Sequence, residues 1–133
     1  MLSPYKTKNY VETIGLDLIQ VSQQKTESLL FDLFKAHLEY FEVSSDKDDS
    51  EESHCFRNIL KNASCNDRLW NLLFFEVLKA LDFNVRLLTL DRPPVLNPQE
   101  LGSQKVIVEV IFGSKVIYLG YVTTPLVIEV QMS

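Results

Sequence analysis

The sequence predicts an α+β domain, and two observations carry that reading. Apolar residues recur at helical spacing through the first half, and beyond Asn84 the pattern changes to short Val/Ile-rich runs separated by turn residues. Helices first and an antiparallel meander after them is the order of an α+β fold. At 133 residues and 46% hydrophobic content, the chain is read as one compact domain, 1–133. Its helical part is 1–82 and its β part 83–133.

"YKTKNYVETIGL" predicts a short helix with Tyr10, Val11 and Ile14 inward, ended by Gly15. "KTESLLFDLFKAHLEYFEV" predicts a longer one, capped by Thr26 or Ser28, with Leu29, Leu30, Leu33, Phe34, His37, Tyr40 and Phe41 on one stripe. His37 on that stripe reads first as a satisfied core histidine. The acidic run at 44–53 reads as a mobile surface loop. Ser45, with Asp48 three residues on, fits an acid-directed kinase but reads first as part of that solvated loop. "HCFRNILKN" predicts a further short helix.

The strongest helix spans about Asp67 to Leu81, with Ser64, Asn66 or Asp67 as its cap. Leu69, Leu72, Leu73, Phe75, Val77, Leu78 and Leu81 cover more than half its surface, so it is expected to be buried on more than one side. "NVRLLTL" predicts a strand, and three prolines make "DRPPVLNPQELGSQ" a long loop. "KVIVEVIF" and "KVIYLGYV" flank Gly113-Ser114, a two-residue hairpin turn. "PLVIEVQM" is a fourth strand. Lys105, Glu109 and Glu129 interrupt otherwise apolar strands.

Net charge is −5, and "DKDDSEE" holds five acids and one lysine of it. No basic footprint for nucleic acid is present. "MLSPYKTKNY" lacks the apolar core of a signal peptide, and no apolar run reaches the ~20 residues of a bilayer span. A soluble, cytoplasmic protein with no membrane contact is expected. The sequon at Asn62 then has no glycosylation role. Cys55 and Cys65 are too few for a disulfide framework. His54, Cys55 and Cys65 match no common zinc spacing, so no metal is expected. Arg68, Lys105 and Arg86 are candidate positive charges for an anionic ligand, though no Gly-rich phosphate cradle accompanies them.

"NASCNDRLWNLLFF" places Cys65 just before a helix, where the N-terminal dipole favours a thiolate. That stretch also carries a resemblance. "YVETIGL", "LLFDLFKAHLEYFEV", "ILKNASCNDRLWNLLFFEVLKALDFNVRLL" and "KVIVEVIFGSKVIYLGYV" are similar, in order, to the opening element, second helix, active-site segment and following hairpin of the arylamine N-acetyltransferases. The resemblance runs from Tyr10 to about Val122. It implies a helical bundle followed by a partial β-barrel, like the family's first two domains. It also implies a Cys-His-Asp triad that passes acetyl from acetyl-coenzyme A to an arylamine or hydrazine.

The triad residues are absent from the matching positions. The family nucleophile lies four residues before the helix asparagine, which resembles Asn71, and that count lands on Asp67; anchoring on "ILK" shifts it by one. The histidine position reads Lys105, or Gln104 under a shift. The carboxylate position reads Gly120 or a neighbour in "YLGYV", and no acid stands between Glu109 and Glu129. The family's Gly-Gly before the nucleophile is missing, and the chain stops before the family's third domain. The resemblance therefore implies a shortened, catalytically inactive relative with no cofactor. It would act as a protein-interaction or regulatory module, through a protein partner or self-association at the C-terminal β edge around Val127, Ile128 and Val130. The alternative is a residual thiol acyltransferase that uses Cys65, with His37 or His54, and acetyl-coenzyme A.

Overall fold

The computed structural model describes residues 4–17, 26–43, 61, 63–89, 106–122 and 124–131. The elements run α1 (Pro4–Thr13), α2 (Glu27–Tyr40), β1 (Glu42–Val43), β2 (Ser64–Cys65), α3 (Asp67–Ala80), β3 (Val85–Thr89), β4 (Val106–Phe112), β5 (Lys115–Val122) and β6 (Thr124–Gln131). The architecture is α+β, with helices preceding an antiparallel sheet ordered β3-β4-β5-β6. The acidic run at 44–53, the short helix expected in "HCFRNILKN" and the proline-rich loop fall outside the described residues, apart from Lys61.

The helix ends follow from local chemistry. Gly15 ends α1 at φ 88°. Its N–H reaches the Glu12 carbonyl at 3.1 Å, while the Leu16 N–H reaches that of Val11 at 3.0 Å. Only a residue in the left-handed region lets the chain turn back to meet those carbonyls. The end of α3 repeats the pattern with a non-glycine residue, Asp82, at φ 65°. There the Phe83 N–H meets the Leu78 carbonyl at 3.0 Å. At the other ends, Thr26 caps α2 through the Leu29 N–H, and Asn66 caps α3 through the Leu69 N–H at 2.8 Å.

α3 is the centre of the molecule. Trp70 and Phe74 are fully buried and meet Phe34 of α2 at ring-centroid distances of 5.6 and 5.8 Å. Other faces of α3 pack on β3, β4 and β5. Burial on more than one side is thus what the apolar surface of this helix produces. Trp70 and Phe74, which the leucine pattern had left out, carry its contact with α2.

The four-strand ladder is continuous. β3 pairs with β4 from Val85↔Val110 to Thr89↔Val106, and β4 with β5 from Val108↔Leu119 to Phe112↔Lys115. Gly113, at φ 51°, makes the turn with Ser114. β5 pairs with β6 from Lys115↔Gln131 to Val122↔Thr124. Alternation puts Val85, Leu87, Val108, Val110, Ile117 and Leu119 into the core with α3. The opposite face carries Arg86, Ile107, Glu109, Val116, Tyr118 and Gly120. Residues 106–110 of β4 are all buried, so this strand is covered on both faces.

Two further features lie outside what periodicity foretells. β1 and β2 form a short parallel pair, Glu42↔Ser64 and Val43↔Cys65. Glu109 is 4% exposed in the middle of the sheet. Its partners explain how it is tolerated: the Arg86 guanidinium lies 2.8 Å away on the neighbouring strand, and the Tyr118 hydroxyl donates from the other side. A buried carboxylate needs such partners.

The sheet is held to α3 by Asn71. Its Nδ2 donates to the Tyr121 carbonyl at 2.9 Å, and its Oδ1 accepts the Tyr121 N–H at 2.7 Å. The β4–β5 register ends at Val108↔Leu119, just short of Tyr121. A primary amide presents the same donor and acceptor as a peptide group, so Asn71 takes the place of a paired strand residue there. Gly120 makes room for it. A Cβ on Gly120 would lie 3.0 Å from the Asn71 Oδ1 and 3.1 Å from an Ile107 methyl. We predict that Asn71→Ala lowers unfolding free energy by about 2–4 kcal/mol, since it strands two backbone groups. Gly120→Ala should cost about 1–3 kcal/mol by crowding the same amide. Chemical denaturation of both variants checks this, and a neutral result for Asn71→Ala would refute the clamp.

Candidate functional site

The nucleophile-like segment begins where β2 meets α3. Cys65 is the last residue of β2, and Asn66 and Asp67 follow directly at the helix start. The site is not one that makes a thiolate. Cys65 is 3% exposed. Burial, aided by the nearby Asp67 carboxylate, pushes its thiol up to about 12. The helix dipole acts in the opposite direction but is the smaller effect, because desolvation of an anion in an apolar site costs more than a terminal dipole returns. Near neutral pH Cys65 is therefore held as the thiol.

Asp67 is half-buried and accepts the Arg68 N–H at 2.9 Å, serving its own helix terminus. Gly120 lies on β5, where a side chain would meet the amide of Asn71, one turn beyond Asp67 on α3. Lys105 and Gln104 fall outside the described residues, as do His54 and Cys55. The structure therefore joins the elements that bear Asp67 and Gly120, with the amide of Asn71 between helix and strand. Arg86 lies on the sheet face turned away from α3, engaged with Glu109, so it does not join Arg68 in one anion site. Among the described residues, no three His, Cys, Asp or Glu side chains gather where they could hold a metal. No described helix is long and apolar enough to cross a membrane.

His37 is fully buried. The Tyr10 hydroxyl donates to its Nδ1, and its Nε2 donates to the Trp70 carbonyl at 3.2 Å. Phe41, Trp70 and Phe74 surround the ring at centroid distances of 4.7, 4.4 and 5.2 Å. Both nitrogens are thus committed, one each to α1 and α3. Burial lowers the imidazole pKa to about 3, opposed only partly by the Trp70 carbonyl. This histidine is a neutral pin joining three helices. Tyr10 was expected inward, but its pairing with His37 across 27 residues has no sequence signal. The Asn71 clamp had one: a lone amide in "LWNLLFF" has to find partners once buried.

The second candidate surface is β6. Along its eight residues only Leu126 is half-buried, and the rest are exposed. Val127, Ile128 and Val130 stand out at 44%, 46% and 44% exposure. β6 pairs with β5 on one side, and among the described residues nothing pairs with the other. Which backbone groups face outward follows from Asn71. The N–H and C=O of Tyr121 both meet that amide and so point away from β6. Tyr121 and its partner Pro125 are therefore a non-hydrogen-bonded pair. By alternation, Leu126, Ile128 and Val130 bond to β5, while Val127, Glu129 and Gln131 turn their N–H and C=O groups to the open side. Pro125 sits where β5 asks for no donor, the position a proline tolerates.

No family model, curated protein or solved structure matches this chain.

The buried imidazole generates a pH dependence. His37 is neutral when folded, but its unfolded-state value is 6.5. The unfolded chain binds the extra proton below that value, so stability is full above pH 6.5 and falls as pH drops toward 3. The contribution to the slope reaches about 1.4 kcal/mol per pH unit. Urea unfolding between pH 7 and 4.5 should show a shallower decline for His37→Gln than for wild type. The carboxylates are common to both proteins, so equal slopes would refute the buried neutral state.

Proposed function

We propose that this chain is a protein-interaction module that takes an extended segment of another chain, a partner protein or a second copy of itself, onto the open edge of β6, on a scaffold resembling an inactive arylamine N-acetyltransferase. The observation that carries the reading is β6 itself: a long edge strand with exposed Val127, Ile128 and Val130 and an outward row of backbone donors and acceptors. Soluble proteins blunt such edges with bulges, inward charges or covering segments, because an open one recruits other strands. Strand addition uses those groups directly, with main-chain bonds for affinity and alternate side chains for selection.

The inactive half of the reading is supported by the surroundings of Cys65 and His37, the residues that the thiol alternative would use. Cys65 is neutral and enclosed, and His37 has no free nitrogen. A thiol acyltransferase needs the reverse of both. No acetyl-coenzyme A chemistry is assigned to the fold.

Two measurements test the reading. Incubation with acetyl-coenzyme A at pH 7.5 should leave the intact mass unchanged; an acetyl adduct lost in Cys65→Ser would restore the enzyme alternative. Proteins captured from the native source by the wild-type chain, then purified, should bind it at least about tenfold more tightly than Val127→Pro. That proline removes an outward N–H and leaves the β5 ladder whole. Equal binding to both would place the contact elsewhere.

A further inference from the structure

We infer that the strand added to β6 is β6 of a second copy of this chain, antiparallel, with a two-fold axis through Ile128. The inference rests on the open-edge reading above and names its occupant. For the pleat to continue across a pair, facing residues must lie on the same side of the sheet. In β6 the residues 125, 127, 129 and 131 share the α3 side, and 124, 126, 128 and 130 the other. A symmetric pairing must then centre on a residue rather than between two.

Ile128 is the centre that the sequence of β6 fits. Leu126 then faces Val130 of the other copy, and Ile128 faces itself, so one face carries an unbroken apolar stripe. On the α3 side, Val127 faces Glu129 of the second copy and Pro125 faces Gln131. Each outward N–H finds a carbonyl: Val127 and Glu129 exchange bonds across the axis, and Gln131 donates to Pro125. The missing N–H of Pro125 leaves only the Gln131 carbonyl to solvent.

The neighbouring centres fit less well. At Glu129 the two carboxylates would face each other, and like charges directly opposite are destabilising. At Val127 the proline would face Glu129 and leave its carbonyl without a donor, while Val130 would meet Thr124 instead of Leu126. With Ile128 at the axis, each Glu129 stays apart from its counterpart and keeps Lys115 of its own sheet at 4.0 Å. The cross-strand row Arg86, Glu109, Tyr118, Ile128 then runs through the axis into its own mirror order.

A register-specific cross-link tests this on the full chain. Ile128 and its counterpart would be a non-hydrogen-bonded pair, with Cα atoms about 4.5 Å apart, a separation that a disulfide spans. Ile128→Cys should form a reducible covalent dimer under mild oxidation. Val127→Cys, which faces Glu129, should not, and neither should the wild type. Light scattering on the wild type should show mass rising from monomer to dimer with concentration, and Val127→Pro should weaken that association at least about tenfold. Ile128→Arg, which sets like charges at the axis, is the second variant if the proline disturbs folding by circular dichroism. Equal cross-linking at 127 and 128, or a wild type monomeric to millimolar concentration, would overturn the inference. If the chain is monomeric yet a purified partner distinguishes wild type from Val127→Pro, the second copy falls and the edge reading stands. If neither self nor partner binds at β6, both fall.

Discussion

One side-chain amide sets the geometry on which the rest of the structure depends. Asn71 closes two hydrogen bonds on Tyr121 where the β4–β5 ladder stops, and so locks the central helix to the sheet. The consequence reaches further than the contact. A residue whose backbone groups face one neighbour cannot offer them to the other, so the clamp determines which residues of β5 address β6. Through β6 it determines which backbone groups face out. A core hydrogen bond on α3 thereby defines the chemistry of an edge two strands from β4. Gly120 belongs to the same device, since its lack of a side chain lets the amide approach.

The same helix explains why the stretch that looks catalytic is built for packing. A cysteine before a helix has the right dipole for a reactive thiolate, but dipole and burial compete, and here burial dominates. Asp67 adds to that effect by placing a carboxylate close to the thiol. His37, the other residue with acid-base potential, is enclosed by aromatic rings and bonded at both nitrogens. The polar groups at the head of α3 serve in capping and in joining helices.

Much of this was legible in the sequence because it is periodic or local. The 3.6-residue stripes of α2 and α3, the helix end at Gly15, a cap among Ser64, Asn66 and Asp67, and the Gly113-Ser114 hairpin each depend on neighbours a few residues away. Four strands in meander order follow from the same kind of signal, and the exposed apolar residues of β6 stand in a run that can be read directly. The remainder depends on distant partners. Tyr10 meets His37, Trp70 packs on Phe34, Val43 pairs with Cys65, and Glu109 is buried because Arg86 and Tyr118 flank it in the folded register. Helical spacing alone also does not single out Trp70 and Phe74, because their burial depends on Phe34 of a helix distant in sequence. For Cys65, position along the helix was visible and depth was not, and depth decides a thiol's chemistry.

The central claim is that, among the described residues, β6 is bonded to β5 alone, with alternate amides turned outward. Residue-resolved amide hydrogen exchange on the dilute chain measures this directly. The amides of Leu126, Ile128 and Val130 should be protected by β5, and those of Val127, Glu129 and Gln131 should exchange rapidly, gaining protection as concentration rises. Protection of all six at high dilution, or the opposite alternation, would contradict the account.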